Sequence, residues 1–461
     1  MSKGYFLVIL ILLVFSLQAI MGVRNKSLTY DEIAHIPAGY SYLVTGDLRM
    51  NFFHPPLSKI ISALPLVFLN LPNPQVFASW NSTDEFRFGR EFMQAIGEKQ
   101  DNIIFLSRIM MVILAVFLGL LVFQWAKDLG DITQGLFALF LFAFEPNIIA
   151  HSSLVTPDIG LSFSILFSIF CLWNYVNKPS LKSLIFTGVS LGLVLLSKLT
   201  GLILIPIFMV LIYIYRPYKK ISYFLFSLLL ILFITFFTVW LGYGFETGRI
   251  LETKDKYTTL NWLISNYPKF LQNGIYFIGR HLVVPCPSFL KGLGWLIFTN
   301  LEKHQSFLFG THFRGSSFLG FLLAFLIKTP IPFLILLVLR LFITIKNKTI
   351  LNRNEIFLWL VPLVFFIFNA FFAISLQLKY ILPIYPFLCI FISQIVNSKF
   401  LSITSGRLAL LGLSLWYIFG TLNIYPHYLA YFNEFVGGAK NGYKYLVDSN
   451  LDWGQDLKLL K

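Results

Sequence analysis

The sequence predicts an all-α polytopic membrane protein: a bundle of about eleven transmembrane helices with two large outer loops carrying short amphipathic helices. Three observations carry that prediction. The 461 residues are 57% hydrophobic and 18% aromatic, only 12% are charged, and the mean hydropathy is +0.75, more apolar than a soluble domain can be. Apolar runs close to the roughly 20 residues that cross a bilayer recur along the chain. The basic residues between them cluster in alternate short loops.

The first run, residues 5–23, follows Lys3; it is long for a signal peptide and lacks a small-x-small cleavage site, so it reads as a retained span. Further runs cover 103–125, 132–148, 158–176, 183–197, 199–215, 221–243, 316–340, 356–375, 380–397 and 407–425. The weakest are 132–148 and 183–197, which are short. Lys198 interrupts the run "LGLVLLSKLTGLILIPIF", so it sits where two spans turn at the outer interface or lines a polar cavity, unless it snorkels.

With a cytoplasmic N-terminus, the loops holding Lys127, Lys178 and Lys182, Arg216, Lys219 and Lys220, Lys346, Lys348 and Arg353, and Lys399 and Arg407 all face the cytoplasm. The net charge of +15 therefore reports topology rather than a nucleic-acid partner. Residues 24–102 and 244–315 form two outer loops, joined on that side by the 149–157 turn. Residues 1–425 make up the transmembrane domain and 426–461 an outer C-terminal segment. Cys171 and Cys389 lie in apolar runs and Cys286 stands alone, so no disulfide framework or thiolate metal site is expected.

Chemistry belongs on the outer face. In "LTYDEIAHIPAGY", Asp31, Glu32 and His35 follow Thr29 and Ser27, either of which suits a helix N-cap at the membrane surface. At helical spacing His35 can meet either carboxylate, which suits a general base or two ligands of a divalent ion, here Glu32 and His35. Acids in a first helical turn also serve simply as cap and dipole partners. Further on, "GDLRMNFFHPPLSKIISALPL" places a rigid Pro55-Pro56 corner between His54 and Lys59, a cationic pair at headgroup depth that suits a lipid-linked phosphate or plain headgroup contact. The turn "EPNIIAHSSLVTPDIGLSF" brings Glu145, His151 and Asp158 to the outer mouth of two spans, Asp158 being either a dipole partner or a second acid facing Asp31.

Six segments, "YDEIAHIPAGYSYLVTGDLRMNFFHPPLSKIISALPL", "SLVTPDIGLSF", "LSKLTGL", "FLIKTPIPFLILL", "LKYILPIYPFL" and "PHYLAYFNEFVGGAKNGYKYLVDSNLDWGQDLK", together resemble the phospholipid-carrier-dependent glycosyltransferases. These GT-C membrane enzymes are related to protein O-mannosyltransferases and the lipid A aminoarabinose transferase. The resemblance covers essentially the whole chain in order. It implies an inverting transfer of a sugar from a polyprenyl-phosphate donor to a lipid, glycan or protein acceptor, outside the plasma (inner) membrane. It implies Asp31 as base with Glu32 as its neighbour and Asp158 as the second acid. It also implies stabilisation of the leaving phosphate by cations, drawn from Lys59, Lys198, Lys328 and Lys379 in the matched segments and His54, Arg280 and His281 on the outer side, or by a divalent ion.

The chain departs from the family at three places. Phe53-His54-Pro55-Pro56 stands where aminoarabinose-transferring relatives have an acidic and basic pair, so a metal-binding Glu is missing there. The 244–315 loop is too short for the β-trefoil of the O-mannosyltransferases, and Lys461 ends the chain where relatives usually continue into an outer soluble segment, a tail lost or truncated. Within that tail the segment from Asp448 to Asp456 carries three acids and Trp453, which suits sugar binding by stacking and hydrogen bonding, or a structured polar turn. A lipid-linked-sugar transporter or flippase, the main rival, would show paired halves with broken spans, and no such symmetry is visible. A zinc hydrolase on Glu32-x-x-His35 lacks the second histidine of the helical zinc motif.

Overall fold

The computed structural model describes residues 3–24, 26–215, 220–251, 264, 268–350 and 352–460; Arg216, Lys219 and Lys461 lie outside these. The described residues are predominantly helical, as expected. Helix α1 (Lys3–Val23) leads into the first large loop, built from α2 (Glu32–Thr45), α3 (Leu57–Ala63), α4 (Ala78–Ser82) and α5 (Glu85–Ile96). The bundle continues with α6 (Gln100–Leu129), α7 (Ile132–Ala143), α8 (Pro146–Ser152), α9 (Pro157–Asn177), α10 (Leu181–Ser197), α11 (Leu204–Tyr215) and α12 (Ile221–Gly242). The second large loop holds α13 (Lys269–His281) and α14 (Pro287–Glu302). It also carries two antiparallel pairs, β1 (Thr247–Arg249) with β2 (Val283–Pro285) and β3 (Gln305–Leu308) with β4 (Thr311–Arg314). Helices α15 (Phe318–Lys328), α16 (Ile331–Lys346), α17 (Arg353–Phe372), α18 (Ile384–Ser393) and α19 (Thr404–Asn423) complete the bundle.

Among the described residues six helices are long and apolar enough to cross a membrane, or eight if each of two bent pairs counts as one crossing. The expected runs 183–197, 199–215 and 380–397 are helical but shorter than a full crossing. The runs 132–148 and 316–340, read as single spans, are broken: α7 and α8 meet at 69° and α15 and α16 at 114°. Both breaks precede a proline. Glu145 (φ −85°, ψ 112°) stands before Pro146 and Thr329 (φ −98°, ψ 135°) before Pro330, each in the extended conformation that proline imposes on its predecessor.

The basic loops do gather at one end. Arg353 donates to Asn177 Oδ1 at 2.9 Å and lies over the Tyr215 ring, Trp173 donates to Asn354 Oδ1 at 2.9 Å, and Asn397 donates to Gln134 Oε1 at 3.2 Å. The first large loop, the start of α6 and the C-terminal tail meet at the opposite end, where Lys26 pairs with Asp456 and Lys458 with Asp101. Between the ends, Leu229, Phe233 and Phe237 on α12 and Leu408, Leu411 and Phe419 on α19 project outward, as side chains facing lipid should.

One core runs through the bundle, and Phe432, Val436, Leu446 and Trp453 of the tail belong to it. The first large loop adds a small core of Ala38, Tyr42, Met50, Trp80 and Phe88. Two glycines allow its helices to cross closely. A Cβ on Gly39 of α2 would lie 2.1 Å from the Lys59 carbonyl of α3, and one on Gly89 of α5 would lie 2.0 Å from the Ile33 carbonyl.

Candidate active site

The start of α2 separates two adjacent carboxylates. Asp31 occupies the N-cap position with helical backbone (φ −72°, ψ −30°) and its side chain caps nothing. Neither Ser27 nor Thr29 is the cap; Thr29 instead donates its N–H and Oγ1–H to Glu32 Oε2 at 2.9 and 3.0 Å. Arg108 of α6 grips the same carboxylate, Nε to Oε1 at 2.9 Å and Nη2 to Oε2 at 2.6 Å, and Val155 N–H donates to Oε1 at 3.0 Å. The remaining Arg108 donors reach the carbonyls of Val23, Lys26 and Ser27. Burial would raise the Glu32 pKa, but Arg108 and these donors hold it below the usual carboxylate value. Glu32 thus joins α1, α2, α6 and the turn before α9, and it has no free oxygen to offer a substrate or ion.

Asp31 lies on the other side of that turn, its side chain 29% exposed and 3.3 Å from Lys379 Nζ. A second pair, Asp158 of α9 with Lys198 at the end of α10, closes at 2.8 Å. Tyr380 lies between them, its ring centroid 4.9 Å from Lys198 Nζ and 6.0 Å from Lys379 Nζ. Trp453 covers Lys379, with Nζ 3.8 Å from the indole centroid. Burial disfavours the Lys379 ammonium, but Asp31, Tyr380 and Asp158 outweigh this and hold its pKa above the ordinary lysine value. Lys198 therefore lines a polar site rather than snorkelling.

The tail builds this arrangement. Asn450 accepts from Leu378 N–H at 2.8 Å and donates to the Leu376 carbonyl at 3.0 Å, fixing the start of the short 3-10 turn Leu378–Ile381 that carries Lys379. The Trp453 carbonyl accepts from Tyr30 N–H at 3.1 Å, tying the tail to the residue before Asp31. Asp448 accepts from Gln377 and Asp456 pairs with Lys26, so these two acids of the segment are structural.

Other cations expected at a phosphate are placed elsewhere. Lys59 turns inward, its Nζ donating to Tyr42 Oη at 2.8 Å, to Asn51 O at 2.7 Å and Oδ1 at 3.1 Å, and to His54 O at 2.6 Å. Burial pushes its pKa well below the usual value, and an ammonium with three protons has none left for a ligand. Lys328 lies not deep within a straight span but at the α15–α16 break. It donates to the carbonyls of Leu429 and Asn450 at 2.8 and 2.6 Å, so it anchors the tail. Arg280 sits on the exposed side of α13 over the Tyr276 ring, and His281 stacks on Phe277. Glu145 caps α8 by accepting from Ile148 N–H at 2.7 Å.

His35 meets neither carboxylate. It is buried, its Nδ1 has no partner, and its ring approaches His54 edge-on with centroids 5.2 Å apart. Burial first, then the Lys59 and Lys379 charges, push its pKa down to about 3; burial, His35 and Lys59 likewise depress His54, which is therefore not a cation at neutral pH. Among the described residues no group of three His, Cys, Asp or Glu side chains converges as metal ligands do, and Glu32 is occupied by Arg108. The Glu32–His35 pair thus does not form the ion site that its spacing suggested.

Residues 88–242, about a third of the chain, match the family model described as dolichyl-phosphate-mannose-protein mannosyltransferase. A comparison with curated proteins gave no match. Among solved structures the chain resembles ArnT from Cupriavidus metallidurans bound to undecaprenyl phosphate, with 12% identity and TM-score 0.54 over 93% of this chain and 71% of that one. It also resembles the archaeal oligosaccharyltransferase AglB from Archaeoglobus fulgidus, solved with an inhibitory peptide and a dolichol-phosphate, with 13% identity and TM-score 0.53 over 92% of this chain and 55% of that one. The resemblance read from the sequence is thereby borne out: the chain has the fold of the GT-C glycosyltransferase superfamily.

Proposed function

We propose that this protein is an inverting glycosyltransferase that moves a sugar from a polyprenyl-phosphate donor to a lipid, glycan or protein acceptor on the outer side of the plasma (inner) membrane. The observation that carries the reading is the pair of acid–lysine contacts, Asp31–Lys379 and Asp158–Lys198, set around Tyr380 at the end of the bundle opposite the basic loops. Chemistry of this kind needs a base beside cations that can receive a leaving phosphate, and the site supplies both. The lipid phosphates bound to ArnT and AglB are consistent with such a donor.

In this mechanism Asp31 takes the proton of the acceptor as its heteroatom attacks the anomeric carbon. The bond from that carbon to the phosphate oxygen breaks, and polyprenyl phosphate leaves with the electron pair. Lys379 and Lys198 stabilise the developing charge, while Asp158 positions Lys198. At 3.3 Å the Asp31–Lys379 contact is longer than the 2.8 Å Asp158–Lys198 pair, so an arriving phosphate competes for the ammonium and frees the carboxylate. Trp453 holds Lys379 by its π face and consumes none of its charge.

Asp31→Asn tests the reading. Transfer from a labelled polyprenyl-phosphate sugar in membranes is expected to vanish while the protein still folds; full activity in that variant contradicts it.

A further inference from the structure

We propose that α13 lies flat in the membrane surface, with its apolar face sunk among acyl chains and Lys269 and Arg280 meeting anionic lipid headgroups, so that a lipid contact anchors the second large loop.

Helix α13 turns its apolar face outward. Phe270, Leu271, Ile275, Phe277, Ile278 and the following Leu282 recur at helical spacing along one side, and each is between 37% and 72% exposed. The helix packs on the protein through a different side. There Gly279 is buried, its carbonyl accepts from Leu251 N–H at 2.9 Å, and a Cβ on it would lie 2.6 Å from the Leu251 side chain. Helix α5 in the first large loop has a similar pattern and does the reverse: Phe88, Phe92 and Met93 are buried, while Arg87 and Arg90 are exposed. A continuous apolar stripe left outward, as on α13, marks a surface that something covers.

The chain holds this stripe close to the end of a membrane span. Helix α12 is one of the six helices long and apolar enough to cross. At its last turn the Trp240 carbonyl accepts from Phe245 N–H at 2.9 Å, and Trp240 Nε1–H donates to the Glu246 carbonyl at 3.0 Å. The same Glu246 carbonyl accepts from Cys286 N–H at 2.9 Å, and β1 pairs with β2 through Arg249 and Val283, so the residues that follow α13 are tied to the end of α12. Leu241 and Phe245 at that end are exposed as well. The 13 residues of α13 extend about 20 Å, too short for the roughly 30 Å of a hydrocarbon core, so the helix can bury its stripe in lipid only by lying in the interface.

Charge selects the lipid. Lys269 and Arg280 are exposed and lie off the apolar stripe, on the side shared with Gln272, Asn273 and Tyr276, and no Asp or Glu occurs from Pro268 to Val283. A second copy of this face would bring the same cations and no acid to meet them. Anionic headgroups supply the countercharge, and both long side chains can reach headgroup level from an immersed helix.

The test places an environment-sensitive fluorophore on the full-length protein in nanodiscs, at Phe277→Cys or Leu271→Cys on the stripe and at Asn273→Cys on the polar side. The native cysteines are buried, which directs the label to the introduced thiol. Nitroxide-bearing lipid should quench the stripe labels roughly threefold or more over the Asn273 label, with aqueous iodide showing the reverse order. Lipid quenching of the stripe labels should rise when phosphatidylglycerol replaces part of the phosphatidylcholine, and Lys269→Gln combined with Arg280→Gln should remove that rise. Equal access of iodide to both sides of the helix would overturn the inference. Stripe labels shielded from both quenchers would overturn it too, by giving the face to a protein partner or a second copy. Immersion indifferent to lipid charge, or a rise that survives the two substitutions, would overturn the assignment of anionic headgroups.

Discussion

The two sides of the turn that opens α2 use buried charge in opposite ways. On one side Glu32 and Arg108, 0% and 1% exposed, saturate each other and bond five backbone groups, on Val23, Lys26, Ser27, Thr29 and Val155. On the other, Asp31 keeps one 3.3 Å contact and partial exposure, and Lys379 rests on an aromatic face. Saturation fixes geometry and removes reactivity; incomplete pairing leaves a carboxylate and an ammonium available. Lys59 follows the first pattern, with neutral oxygens filling its donors, Lys328 gives two protons to the Leu429 and Asn450 carbonyls and lies over the Phe432 ring, and Lys198 and Lys379 follow the second.

The largest effect that would break this contrast is on the saturated side. Arg108→Ala leaves Glu32 buried and unpaired, which costs about 3–5 kcal/mol, and thermal unfolding in detergent should show a marked loss of stability. Lys379→Gln removes a charge-assisted contact to phosphate. It should weaken undecaprenyl phosphate binding by about 1.5–3 kcal/mol, roughly ten- to hundredfold, with little change in unfolding temperature. Trp453→Ala should cost about 0.5–2 kcal/mol in the same binding measurement, and Trp453→Phe less, because a smaller π face still meets the ammonium.

The smallest effect near neutrality concerns His35. An unfolded histidine titrates near 6.5 and folded His35 near 3, so below pH 6.5 the unfolded chain takes up a proton that the folded chain refuses. Its contribution to stability is therefore complete above pH 6.5 and declines as pH falls from there toward 3. His35→Gln should flatten part of that acid limb in a pH series of unfolding temperatures; an unchanged limb would show that His35 is not buried neutral.

Much of this was legible in the sequence because the chain is apolar. In such a background Asp31, Asp158, Lys198 and Lys379 stand out, and the alternation of basic loops orders the ends of the bundle. The partner of Glu32 was missed although a signal existed: Arg108 lies in "IIFLSRIMMVIL", where an arginine needs a buried acid. The two breaks were also signalled, by Pro146 and Pro330 inside apolar runs, but hydropathy averages over such points. What sequence could not separate was a cation free to meet a ligand from one saturated by carbonyls. Lys59 and Lys379 read alike, and only the folded positions of Asn51, His54 and Trp453 distinguish them.

The most direct test of the central contrast is a side-by-side measurement of sugar transfer and unfolding temperature for Asp31→Asn and Glu32→Gln. Asp31→Asn should unfold like the native protein and lose about 10²–10⁴ in transfer rate, the usual contribution of a general base. Glu32→Gln should unfold at lower temperature and retain transfer in proportion to its folded fraction. The reverse pattern, with a stable but inactive Glu32→Gln protein and an active Asp31→Asn protein, would contradict it.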